Sequence, residues 1–110
     1  MRKIAALLLV LFCQAAPAQP PEFERCVACH GDKADLGPSL SGVFGRKAGS
    51  RDDFRYSRAL SRSGIVWNER NLDAFLRAPD QFVPGTRMPF EGLASDAERA
   101  AVIKHLKSLK

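Results

Sequence analysis

The run Cys26-Val27-Ala28-Cys29-His30 places two thiols three residues apart and an imidazole directly after the second. That spacing fits c-type haem attachment, in which each thiol forms a thioether with a haem vinyl group and the imidazole lies beneath the iron. Other chemistries use the same residue types. A thioredoxin-like redox pair needs a strand before the cysteines and alternating strands and helices around them, and no such pattern is present. A zinc site has two Cys and two His to draw on, but His30 adjoins Cys29 and His105 stands alone far downstream. The paired histidine spacing of such sites is missing. A structural disulfide between Cys26 and Cys29 is the remaining alternative.

An iron that passes electrons wants a second axial ligand that stays bound in both oxidation states, and a thioether favours the reduced one. The chain has two methionines, Met1 and Met88. Met1 belongs to a leader described below, so Met88 is the thioether left for the site. It sits in the loop Pro84-Gly85-Thr86-Arg87-Met88-Pro89, held stiff by prolines. A single methionine is more often a filler of core gaps, and the rigid loop setting is what points to ligation instead. His105 is the competing ligand and would give a bis-histidine iron of lower potential. Its place beside Val102 and Leu106 on an amphipathic stretch favours a partly exposed packing role.

The elements that must hold these groups read as helical, with no convincing alternating strand. Pro20 and Pro21 open a short turn through Glu22-Phe23-Glu24-Arg25 that runs into the cysteines. Between Gly31 and Ser50 the glycines and Pro38 are too dense for a helix and predict an ordered loop. A short helix is expected over Phe54 to Ser61, ending before Gly64. Asn68 caps the next, which brings Leu72, Phe75 and Leu76 onto one face before Pro79 ends it. Ser95 and Glu98 form a capping box for a last helix, with Asp96 at its positive end. Its main stripe is Val102, Leu106 and Leu109, flanked by Ala94 and Ile103. Long glycine-proline loops cost entropy and bury little, and they make sense when wrapped around a large ligand.

The 110 residues allow one domain. Arg2 and Lys3, the apolar run Ile4 to Phe12 and the small residues Ala16-Pro17-Ala18 read as a secretory signal over 1–18. The apolar run is about half of what a spanning helix needs, so cleavage after Ala18 is expected to leave a domain over 19–110 with no stable membrane insertion. Cys13 raises lipid anchoring, but bulky Phe12 precedes it, so Cys13 is read as a discarded residue of the leader. The mature chain would be exported, to a periplasm in a Gram-negative source. Its fifteen Lys and Arg against twelve Asp and Glu leave a mild excess of +3. Two haem propionates would nearly cancel that, which points to a steered protein partner and away from nucleic acid.

From Cys26 to Lys110 the sequence resembles class I cytochromes c, particularly the mitochondrial and related bacterial soluble carriers. The resemblance rests on Cys26-Val27-Ala28-Cys29-His30, on Gly37-Pro38-Ser39-Leu40-Ser41-Gly42-Val43-Phe44-Gly45-Arg46-Lys47-Ala48-Gly49, on Gly64-Ile65-Val66-Trp67 and on Pro84-Gly85-Thr86-Arg87-Met88. It implies an all-α, small cytochrome c fold: three to four short helices and long loops around one covalent haem, the first helix shortened because only seven residues separate Ala18 from Cys26. It implies further that the carbonyl of Pro38 accepts from the imidazole of His30. Arg46, Tyr56 and Trp67 match the positions that hold a buried propionate, and they offer the guanidinium, hydroxyl and indole donors such a carboxylate needs. The sequence departs from the pattern at Phe75, where a tyrosine is common, at Leu60, where an asparagine is common, and at Asp80 and Gln81, which replace lysines of a docking ring. Lys33, Lys47 and Arg87 remain as a positive rim.

The expected function is that of a monomeric one-electron carrier, not an enzyme, shuttling between redox protein partners as donor and acceptor. The alternatives are a haem subunit permanently docked to a larger oxidoreductase, a haem sensor, or a peroxidase acting at an open iron.

Overall fold

The computed structural model describes residues 19–31 and 36–110. The leader expected over 1–18, with Cys13, and the rim residue Lys33 lie outside them.

Proline at a first helical position costs no hydrogen bond and presets the backbone. Pro21 accordingly starts a 3₁₀ turn over Pro21–Phe23 that passes directly into α1, Glu24–Val27. The N-terminal helical segment is therefore only two turns long. Phe23 anchors it: the ring is buried and meets the edge of His105, with centroids 4.4 Å apart. Leu106 belongs to the same buried cluster as Phe23, and Leu109 packs against that cluster.

The long segment from Leu36 to Tyr56 has no helix and is held by backbone pairing with a distant stretch. Lys47 and Val66 form an antiparallel bridge, flanked by Gly45 N to Trp67 O at 2.7 Å, Trp67 N to Arg46 O at 2.9 Å and Ala48 N to Ile65 O at 2.7 Å. Paired this way, this part of the loop meets backbone hydrogen bonds without regular structure.

Helix α2 is shorter than the pattern predicts, Arg58–Ser61 in place of Phe54 to Ser61. Ser57 is extended and its hydroxyl accepts from Leu60 N at 3.1 Å, so the cap sets the start there. Asn68 caps α3, Glu69–Arg77, accepting from Asn71 N at 2.8 Å, and Leu72, Phe75 and Leu76 are its buried residues. Pro79 ends α3 but also opens a further turn, α4, Pro79–Phe82, a helix the pattern does not predict. Its missing N–H is one that a first turn leaves unpaired in any case. The last helix, α5, runs Asp96–Ser108 with Ser95 Oγ accepting from Glu98 N at 3.3 Å. Ile103, expected at the flank, is as buried as Val102 and Leu106.

Helix α5 packs on both α3 and the N-terminal turn, placing Phe23, Leu72, Phe75, Leu76, Val102 and Leu106 in one core. Among the described residues there are five α-helices, three of them single turns, against three to four expected. Among the described residues no helix is long and apolar enough to cross a membrane.

Candidate cofactor-binding site

The core does not close on itself. It leaves a cavity of about 800 Å³, with walls drawn from α1, the loop over 36–56, α3, the loop over 86–89 and α5. That is the size of a pocket for a substantial organic ligand. Apolar side chains dominate it: Leu40, Leu60, Leu72, Phe75, Leu76, Val102 and Leu106 all face in.

Cys26, Cys29 and His30 line one part of this cavity because α1 carries Cys26 and the turn after it folds Cys29 and His30 back, their N–H groups bonded to Cys26 O at 3.1 and 2.7 Å. Cys26 is buried, and that burial pushes its thiol up from the ordinary range, with Arg25 opposing and Cys29 adding to the rise. Such a thiol stays protonated at neutral pH. His30 Nδ1 lies 2.7 Å from the carbonyl of Pro38. A carbonyl only accepts, so the proton is on Nδ1 and the lone pair of Nε2 is left for a metal. Gly37 makes that approach possible: a Cβ there would stand 2.9 Å from both Cε1 and Nδ1 of the ring.

Met88 also lines the cavity, carried there from far downstream by the proline-bracketed loop. The loop is tied at both sides. Thr86 N bonds Val83 O at 3.0 Å and Met88 N bonds Thr86 Oγ1 at 3.3 Å. Beyond Met88, Arg25 lies over the ring of Phe90 at 4.9 Å and Leu93 N bonds Leu76 O at 2.7 Å. His105 is not among the lining residues; its ring is taken up by Phe23.

Arg46, Tyr56 and Trp67 line a polar part of the same cavity. Arg46 Nη2 donates to Ser41 O at 3.0 Å, Trp67 is buried with its ring 4.9 Å from Phe75, and Tyr56 packs edge-on against Phe54 at 5.1 Å. Burial raises the Tyr56 phenol above its ordinary range, and nearby Arg51 and Arg46 oppose the rise only in part. Phe75 and Leu60 line the cavity without a donor, which leaves that part of it apolar. Arg51 and Arg55, not singled out from sequence, line it too. Nothing local marks them, since their position depends on the fold of the irregular loop. Of the expected rim, Lys47 and Arg87 are exposed at the cavity.

Two thiols, a nitrogen lone pair, a thioether and an apolar slot of this volume are the donor set and the shape that a covalently attached haem requires. The sequence matches the family described as Cytochrome c over residues 22–110. The chain belongs to that family. It carries one covalent haem c, for which Cys26 and Cys29 supply the CxxCH arrangement, and the cytochrome c family works by electron transfer and not as an enzyme. Cytochrome c2 iso-2 of Magnetospirillum fulvum is 46% identical over 93 residues, covering 82% of this chain and 97% of that protein. Cytochrome c of Tetrahymena pyriformis is 48% identical over 87 residues, 77% of this chain and 79% of the other. Among solved structures, cytochrome cH from Methylobacterium extorquens superposes with a TM-score of 0.77 at 39% identity, over 79% of this chain and 91% of that one. The superposition and the helices described above give this chain the small cytochrome c fold.

Proposed function

We propose that this cytochrome c is an exported, monomeric one-electron carrier whose iron is ligated by His30 and Met88 and which shuttles between respiratory or other redox enzymes of the periplasm. The observation that supports it is convergence: Cys26, Cys29 and His30 line the same cavity as Met88, although the methionine comes from a separate loop. When bound, the haem supplies a one-electron oxidation and reduction.

The chain's own residues set the conditions for it. Pro38 fixes the tautomer and orientation of His30 and raises its basicity. Arg46, Tyr56 and Trp67 hold a propionate in an environment where an unpaired carboxylate would be costly. Leu60, Phe75 and the aliphatic walls exclude water. Residues 1–18 act as a leader removed on export.

The test is made on holoprotein from an export-competent host. Its chain mass should correspond to residues 19–110 plus one haem. The oxidised form should show the weak long-wavelength band of a thioether bound to ferric iron, and Met88→Ala should lose it. Rapid binding of carbon monoxide by the reduced wild type would reveal an open iron and overturn the carrier assignment in favour of a sensor or peroxidase.

A further inference from the structure

The positive charge of the mature chain is unevenly distributed. Residues 46–62 hold six Lys and Arg against two Asp, whereas the rest of 19–110 holds nine bases against ten acids. The whole excess of the chain therefore lies in one segment. Folding concentrates it further by adding Arg87 from the methionine loop, whose Nη2 donates to Arg55 O at 2.8 Å across 32 residues.

Two cations of this group have local partners. Arg46 bonds the Ser41 carbonyl beside the propionate donors, and Arg51 pairs with Asp53 at 2.8 Å. Arg55, Arg58, Arg62 and Arg87 are exposed and, among the described residues, unpaired with any acid. All four line one shallow depression, together with Tyr56, Ser57, Ala59 and Gly85, and no Asp or Glu lines it. Arg55, Tyr56, Ser57 and Arg87 line both this depression and the haem cavity. By contrast α4, which follows α3 and contributes no residue to the lining of the haem cavity, exposes Asp80 and Gln81.

We propose that the depression formed by Arg55, Arg58, Arg62 and Arg87 is where this protein docks a carboxylate-rich face of its redox partner, so that electrons cross beside Tyr56 and Arg87 and not on the α4 side. The proposal rests on the carrier function above. Guanidinium groups bind carboxylates bidentately, and unneutralised like charge focused at a concave mouth steers an acidic surface from a distance. Continuity with the haem cavity makes the same contact productive, because the docked partner lies against the cavity wall. Phosphate-bearing lipid is the other anion such a surface meets, and the test separates it.

The experiment follows oxidation of the reduced holoprotein by hexacyanoferrate(III), a small anionic oxidant, across ionic strength. R58E/R62E changes two residues of the depression that do not line the haem cavity. R70E/K104E makes the same change of charge at exposed positions of α3 and α5. The rate should fall about tenfold in R58E/R62E at low salt, converging with wild type at high salt. The drop in R70E/K104E should be much smaller, and R58Q/R62Q should fall between wild type and R58E/R62E. Equal drops in the two reversal variants would overturn the docking face while leaving the carrier function intact. A wild type that hexacyanoferrate does not oxidise would remove both. Vesicles of phosphatidylglycerol that bind wild type and release R58E/R62E, with matched hexacyanoferrate rates, would identify a membrane surface and overturn the proposal.

Discussion

Arg99 Nε donates to Asp73 Oδ1 at 2.8 Å, so that a guanidinium only 3% exposed on α5 is tied to α3. The same group gives Nη1 to the carbonyls of Leu93 and Ala94, at 2.7 and 3.0 Å, and Nη2 to Asp96. Every donor edge is used, and Asp73 holds the cation more firmly charged than usual. The clamp joins the two long helices to the chain that follows Met88.

Replacing Arg99 by Met should leave the two carbonyls without donors where water has little access. The midpoint of thermal unfolding should fall by about 5 °C or more, as expected for a domain of this size that loses buried hydrogen bonds. Lys107→Met is the comparison, because Lys107 pairs with Glu69 at 3.3 Å on the open surface. Its shift should stay within about 2 °C. Equal shifts in differential scanning calorimetry would show that the clamp has no special weight.

Gly92 has φ +117°, and a Cβ on it would collide with the Arg77 carbonyl at the end of α3. Gly92→Ala should therefore destabilise the fold by about 1–2 kcal/mol from the backbone conformation alone, and by more from the clash. Denaturant unfolding measures it. A neutral result would mean that the segment after Met88 is free to shift.

On the proposed ligation by His30, Gly37→Ala should act on the iron through that ring, since the added methyl would press on it at 2.9 Å. Displacing the ring weakens the Nδ1 bond to Pro38 and with it the basicity of the ligand nitrogen, which favours the reduced state. The midpoint potential should rise by about 20–60 mV, the equivalent of one ordinary hydrogen bond in a one-electron couple. Potentiometry of the two proteins decides, and an unchanged value would disconnect Pro38 from the iron.

Tyr56 is the single tyrosine, so its titration can be followed directly by ultraviolet absorbance. Burial raises its folded-state pKa above the unfolded value of about 10. Between those two values the unfolded chain has lost the proton and the native chain keeps it. The stabilisation from Tyr56 is thus complete below the unfolded pKa and is lost as pH rises through the folded one. Phenolate absorbance in the native protein should appear at higher pH than in urea, and Tyr56→Phe should flatten the decline of stability in that alkaline window.

Much of the site was legible in the sequence because its signals are local. The spacing of Cys26, Cys29 and His30 is a property of five consecutive residues, and the helix caps at Asn68 and Ser95 act within a single turn. Met88 stood out by scarcity once Met1 was assigned to a leader. The family match over 22–110 and the helical fold agree with those signals. Where a local cap competed with a longer pattern the cap won, as Ser57 did in starting α2 four residues late. Other features depend on chain segments meeting in space. A charged residue such as Arg99 reads as surface until Asp73 and two loop carbonyls surround it, because burying a guanidinium is tolerable only when every donor is met. Arg87 joins Arg55 only because the methionine loop folds back across the Arg55–Arg62 stretch. The number of arginines is written in the sequence; their gathering in one unneutralised depression beside the haem cavity is decided by tertiary structure, because charge adds up over distance in space and not along the chain.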